Sequence, residues 1–377
     1  MWQVDFDKSP FLVIWETTQA CELACKHCRA NAIPGPIPGE LSLDEGKNIL
    51  DQVKDLGTPL VVLSGGDPAS RPDLFDLIRY GKSLGLRMAT IPAATPRLTR
   101  DLIFKLKDAG TDQVAFSLDF PTAEKHDAFR GYPGTYDLTM RAIEWAHEAK
   151  LPPQINTCVW GDSADTLSEM GYLVEKLGIV FWEVFFLVPV GRGAEISKLS
   201  TSTCEAMFPI LHAAQKRNKF ILKVTEAPHY RRYLKEHEAK EKGRVAHATS
   251  TGDAPSGHPG GLHKMMSLEG YSEGSQSVPL AARGVNAGSG FLFISGKGDM
   301  FPSGFLALSG GNVRKDTLAH AYRETELFKN LRNPDLLKGR CGRCPHRRLC
   351  GGSRSRAWAI TGDYLETDPW CSYIPPE

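Results

Sequence analysis

Residues 11–28 read FLVIWETTQACELACKHC, and the two ends of this stretch obey different rules. Residues 11–15 form an unbroken apolar, β-rich run, as expected of a strand buried on both faces. Cys21, Cys25 and Cys28 then crowd into eight positions, and the next cysteine is Cys158. In α/β proteins, reactive side chains gather at the carboxyl ends of parallel strands, which is where such a loop would lie. The pattern repeats outward. Apolar runs at 60–64, 86–91, 113–119, 154–160 and 180–188 alternate with segments of helical period. One helix opens on the capping box Ser42 to Glu45 and repeats apolar residues at Leu50, Val53 and Leu56. Others are predicted near 72–83, 98–108, 135–149 and 163–177, the last stopping at Gly178. Six β/α units in register predict an α/β fold, a parallel sheet curled into a partial (β/α)6 relative of the TIM barrel.

A chain of 377 residues suggests one large domain with a smaller appendage. The divisions expected are a barrel core at 1–200, a connecting helix, strand and loop at 201–290, and a small domain at 291–377. A helix is predicted near 202–216 and a strand near 219–224. Residues 242–290, rich in Gly, Ser, Pro and His, suggest a long mobile loop or lid. His247, His258 and His263 there would be solvated, or would line a substrate or ligate an iron. FLFISGKGDMF (291–301) predicts a hairpin, and 317–332 is helical. Forty-five basic against 44 acidic residues, a formal charge of +1, disfavour nucleic acid and anionic membranes as partners. No run reaches membrane-spanning length, and MWQVDFDK carries no export signal, so a cytoplasmic location is expected. Nine cysteines in that setting read as metal ligands before disulfides. Cys158 and Cys204, in apolar or helical surroundings, read as buried thiols.

Thiolates select zinc, cuprous copper or iron–sulfur clusters. Three of them leave a coordination sphere open, unless His27 or a loop histidine closes a zinc site. The spacing C-x3-C-x2-C, with His27 before Cys28 and Thr18 before Cys21, closely resembles the signature of the radical S-adenosylmethionine enzymes. That resemblance implies that Cys21, Cys25 and Cys28 hold three irons of a [4Fe–4S] cluster, the fourth being chelated by S-adenosylmethionine. It implies further roles beside the cosubstrate. LSGGDP (63–68) resembles the family's GGE motif, with Gly65 and Gly66 offering backbone to the methionine amino group and Asp67 in place of Glu; alone, it would be a turn. Ser117 and Asp119 resemble the ribose-contact position, though Asp119 also suits a helix N-cap. Arg130 would face the methionine carboxylate or be a surface charge. In VPVGRG (188–193), Gly191 and Gly193 match the adenine-packing segment, and Arg192 reads as a solvated charge.

Cys341, Cys344, Cys350 and Cys371 follow C-x2-C-x5-C-x20-C, enough to close a site, either a zinc ribbon or a cluster. The stretch, with its GG after Cys350 and its TGD and DPWC elements, resembles the auxiliary-cluster region of SPASM and twitch radical enzymes. Pro302 and Ser303 follow the hairpin, and Arg354 stands where the fuller pattern has a cysteine. The resemblance therefore implies one auxiliary [4Fe–4S] cluster, for two in all, and is closest to the haem and haem d1 branch. It covers most of the chain outside 225–290. It implies hydrogen abstraction followed by oxidation of a tetrapyrrole or a ribosomal peptide, with electrons from a flavodoxin or ferredoxin. For the peptide, no leader-binding segment is visible before residue 11. Arg347, Arg348, Arg354 and Arg356 are candidates to anchor propionates or to neutralise the cluster. The non-enzymatic alternative, an iron–sulfur carrier or zinc scaffold, makes no use of GGDP.

Overall fold

The computed structural model describes residues 4–196, 199–217, 220–238 and 284–376. Most of the segment expected to form a lid, with His247, His258 and His263, lies outside the described residues. The six expected strands are present as β1 (Leu12–Glu16), β2 (Leu60–Ser64), β3 (Arg87–Thr90), β4 (Gln113–Ser117), β5 (Pro153–Val159) and β6 (Phe181–Phe186). Between them run α1 (Leu43–Leu56), α2 (Leu74–Ser83), α3 (Arg100–Asp108), α4 (Ala123–Arg130), α5 (Thr135–Glu148) and α6 (Leu167–Lys176). Ser42 and Glu45 form the expected capping box at α1, and Gly57 ends the helix with φ +78°. Of these six helices, α4 alone lies outside the expected elements. It is short and buries little beyond His126, Phe129 and Arg130, so it carries almost no apolar period.

Period two sorts the strand side chains. Val13, Trp15, Leu63, Met88, Phe116, Ile155 and Trp182 are fully buried in one core with Ile49, Leu50 and Val53 of α1 and Ile103 and Leu106 of α3. Their alternates Ser64, Ala89, Gln113, Ser117, Gln154 and Phe185 are only half-buried, on the opposite face of the sheet. That face is mixed, carrying Ile14, Val62 and Phe293 in register with Ala89 and Gln113, and Gln154 there hydrogen-bonds both Asn156 and Glu183.

Three strands extend the six. After α7 (Thr201–Arg217), β7 (Ile221–Thr225) pairs parallel with β6, and residues 230–238 form α8. The first arm of the expected hairpin, β8 (Phe291–Ile294), pairs parallel with β1 and antiparallel with β9 (Met300–Phe301). The sheet order is β7, β6, β5, β4, β3, β2, β1, β8, β9. The helical stretch expected at 317–332 is two helices, α9 (Leu318–Glu324) and α10 (Glu326–Arg332), divided at the extended Thr325. Short helices α11 (Gly339–Arg343) and α12 (Arg354–Thr361) follow. Among the described residues no helix is long and apolar enough to cross a membrane.

Candidate functional site

The loop leaving β1 is held by the end of β2. Gly66 N–H donates to the Thr18 carbonyl and Asp67 N–H to that of Ala20, each at 2.7 Å. Gly65 has φ +145°, and a Cβ there would lie 2.3 Å from the Thr18 carbonyl oxygen. Only glycine fits so close a backbone crossing. The carboxylate of Asp67 is fully buried and accepts from Ala69 N, Ala93 N and Thr95 Oγ1, each at 3.1 Å. It thereby ties the turn to the segment after β3.

Cys21 and Cys25 are buried and Cys28 half-buried, packed with Leu23, Ala32, Ala93 and Tyr132. Burial pushes the Cys21 thiol up to about 12, and the nearby Cys25, Asp67 and Cys28 push the same way. A dry pocket of thiols calls for positive charge. Arg130 supplies it from the end of α4, with Nη1 3.8 Å from Cys25 Sγ. The same guanidinium holds Asp119 through Nε at 2.7 Å and Nη2 at 2.6 Å, so Arg130 is a buried, paired charge and not a surface one. Asp119 also accepts from Cys158 N at 2.8 Å, bridging the ends of β4 and β5. It caps no helix: α4 begins after Thr122. Ser117 ends β4, half-buried on the face that carries Ser64.

His27 lies face to face with Phe129, ring centroids 4.4 Å apart, and Phe129 stacks in turn on Trp160 at 4.0 Å. Burial lowers His27 to about 3, and among the described residues its Nδ1 has no hydrogen-bond partner. Across this stack runs the segment after β6. A Cβ on Gly191 would lie 2.5 Å from the carbonyl oxygens of Cys28 and Arg29, and one on Gly193 3.4 Å from that of His27. Arg192, expected as a solvated charge, is a half-buried staple. Its Nε donates to the Cys25 carbonyl at 2.9 Å, its Nη1 to that of Ala32 at 3.2 Å, and its N–H to that of Cys28 at 3.0 Å. Sequence reasoning missed this staple and the stack; the one signal for Trp160 was its place at the end of a β run.

Cys341, Cys344, Cys350 and Cys371 all line a second cavity, together with Arg340, Arg347 and Gly352. Backbone N–H groups point at three of the sulfurs: His346 at Cys344, Gly352 at Cys350 and Asp368 at Cys341, each at 3.4 Å. Burial pushes Cys350 up to about 12 and Cys371 up to about 11. Two of the four arginines considered as propionate anchors turn inward. Arg356 and Asp368 form an ion pair at 2.8 Å with neither side chain exposed. Arg354 is also buried, while Arg347 and Arg348 share Asp335.

A family profile described as the radical SAM superfamily matches residues 15–177, from Trp15 through α6. The chain is 37% identical to the AdoMet-dependent heme synthase of Methanosarcina barkeri, over 97% of this chain and 97% of that protein. The chain belongs to the radical SAM superfamily. Another relative, the Fe-coproporphyrin III synthase of Methanosarcina barkeri, is 29% identical over all of this chain and 90% of its own length. Among solved structures, Streptococcus suis SuiB bound to S-adenosylmethionine has a TM-score of 0.70 at 14% identity, covering 97% of this chain and 78% of that one. It shares the fold, a curled parallel half-barrel. A radical SAM enzyme works with a [4Fe–4S] cluster and S-adenosylmethionine, and the cysteines Cys21, Cys25 and Cys28 beside the Arg130 charge suit that pair of groups.

Proposed function

We propose that the chain oxidatively modifies the propionate side chains of an iron tetrapyrrole. What carries this is similarity along nearly the whole chain, 37% identity to an AdoMet-dependent heme synthase, in a molecule that also gathers four C-terminal cysteines around one cavity. Cys21, Cys25 and Cys28 hold the first cluster and leave one iron to the cosubstrate. Backbone at Gly65 and Gly66, fixed by Asp67, receives the methionine amino group. Arg130 steers the carboxylate, Ser117 and Asp119 lie beside the ribose, and His27, Gly191 and Gly193 close over the adenosine. Bound together, the cluster and S-adenosylmethionine would supply one-electron cleavage of the C5′–S bond and hydrogen-atom abstraction from substrate.

Cys341, Cys344, Cys350 and Cys371 hold a second cluster. The four thiolates lining that cavity can take one iron corner each of such a cluster. The electron donor is a low-potential flavodoxin- or ferredoxin-like protein of the cytoplasm.

The test is anaerobic turnover of reconstituted protein with S-adenosylmethionine, dithionite and iron coproporphyrin. Loss of carboxyl groups by mass spectrometry, with 5′-deoxyadenosine formed alongside, is the expected outcome. Deoxyadenosine without change in the porphyrin would overturn the substrate and leave a peptide as the alternative. Changing Cys21, Cys25 and Cys28 to Ala should abolish deoxyadenosine formation altogether.

A further inference from the structure

Arg354 is 2% exposed, yet its guanidinium meets no carboxylate at hydrogen-bond or ion-pair distance among the described residues. It donates to the carbonyls of Gly352 at 3.3 Å, Tyr364 at 2.9 Å and Glu366 at 2.7 Å, and its Nη2 lies 3.7 Å from Cys341 Sγ. Two residues on, Arg356 has a carboxylate of its own in Asp368. Asp363 feels the Arg354 charge only at longer range, and among the described residues the one anion-forming side chain within hydrogen-bond distance of the guanidinium is the Cys341 thiol. Arg231 lies near another ligand, where Cys350 is the one group that raises its pKa against the effect of burial. Its Nη2 donates to the Val285 carbonyl at 2.8 Å and its Nη1 to the carbonyl of Leu349, the residue before Cys350, at 3.4 Å. Reducing an iron–sulfur cluster adds negative charge, so cations and N–H donors near its sulfurs favour the reduced state.

We propose that Arg354, hydrogen-bonded to Cys341 Sγ, and Arg231, behind Cys350, raise the reduction potential of the cluster at the four C-terminal cysteines and so make it the one-electron acceptor for the substrate radical. The proposal rests on that cavity holding a cluster. The electron count closes with no other oxidant. A carbon radical adjacent to a CH2–COO⁻ group breaks the bond to its carboxylate, forms a C=C bond and releases CO2 and one electron, which passes to the oxidised four-cysteine cluster. Arg354 and Arg231 act through the ligands as positioning residues and touch no reacting atom.

The test is an EPR-monitored redox titration of the reconstituted full chain, comparing wild type with Arg354→Gln, Arg231→Gln and the exposed Arg348→Gln. The first two are expected to lower the potential of the C-terminal cluster, and Arg348→Gln to leave it in place. About 59 mV corresponds to a tenfold change in the one-electron equilibrium. Product formed per deoxyadenosine should fall in step, while deoxyadenosine formation continues. A wild-type potential in either variant that keeps its cluster overturns the proposal. Wild-type protein with about four irons per chain instead of about eight would overturn the cluster itself, a separate failure.

Discussion

Gly65 and Gly39 both have positive φ, +145° and +85°, but a Cβ at Gly65 strikes the Thr18 carbonyl whereas one at Gly39 meets nothing within 4 Å. Gly39→Ala therefore carries only the backbone penalty, about 1 kcal/mol. Gly65→Ala adds displacement of the cysteine loop and should cost about 3 kcal/mol or more, with loss of S-adenosylmethionine binding. Urea unfolding and calorimetric titration would check the pair; equal effects at both glycines would refute the crossing as the cause. The place of Gly65 was legible because LSGGDP follows the second strand behind the three cysteines; alone it would have read as a turn. The role of Arg192 was not. Its staple depends on which carbonyls lie within reach, Cys25 and Ala32 at a sequence distance of 160 residues or more.

Elements with a strong apolar period appear within a few residues of where the sequence places them. The break inside 317–332 was invisible because Leu327 and Phe328 continue the helical spacing, while Thr325 Oγ1 bonds back to the Ala321 carbonyl at 2.6 Å and Thr325 itself stays extended. Between β7 and α8, His229 is wholly buried, with Nε2 3.3 Å from Cys204 Sγ. Burial lowers its pKa from 6.5 to about 4. The unfolded chain then takes a proton that the folded one refuses. His229 thus contributes stability that is intact above pH 6.5 and is lost as pH falls toward 4. The loss is about 1.4 kcal/mol per pH unit. His229→Gln should flatten the fall in unfolding free energy across that window by this amount per unit. Parallel slopes for variant and wild type would count against it.

At the scale of the molecule, the cysteine-rich C-terminal segment is bolted to the barrel by buried charge. Arg356 pairs with Asp368, and its Nη1 donates to the carbonyl of Glu226, just after β7, at 2.6 Å. Arg356→Ala leaves Asp368 buried and unpaired, a loss of about 3–5 kcal/mol, and frees the segment from β7. Earlier proteolytic cleavage near residues 339–371 and a lower unfolding midpoint are expected; unaltered cleavage would show that the bolt holds nothing. The six-unit barrel was legible because each β/α repeat is local. The partner of β8 was not, since nothing in FLFI names the strand it will join. That partner is β1, which leads into Cys21 and is paired on its other side with β2. The strand beneath the cysteine loop therefore lacks one neighbour until residue 294 has emerged from the ribosome.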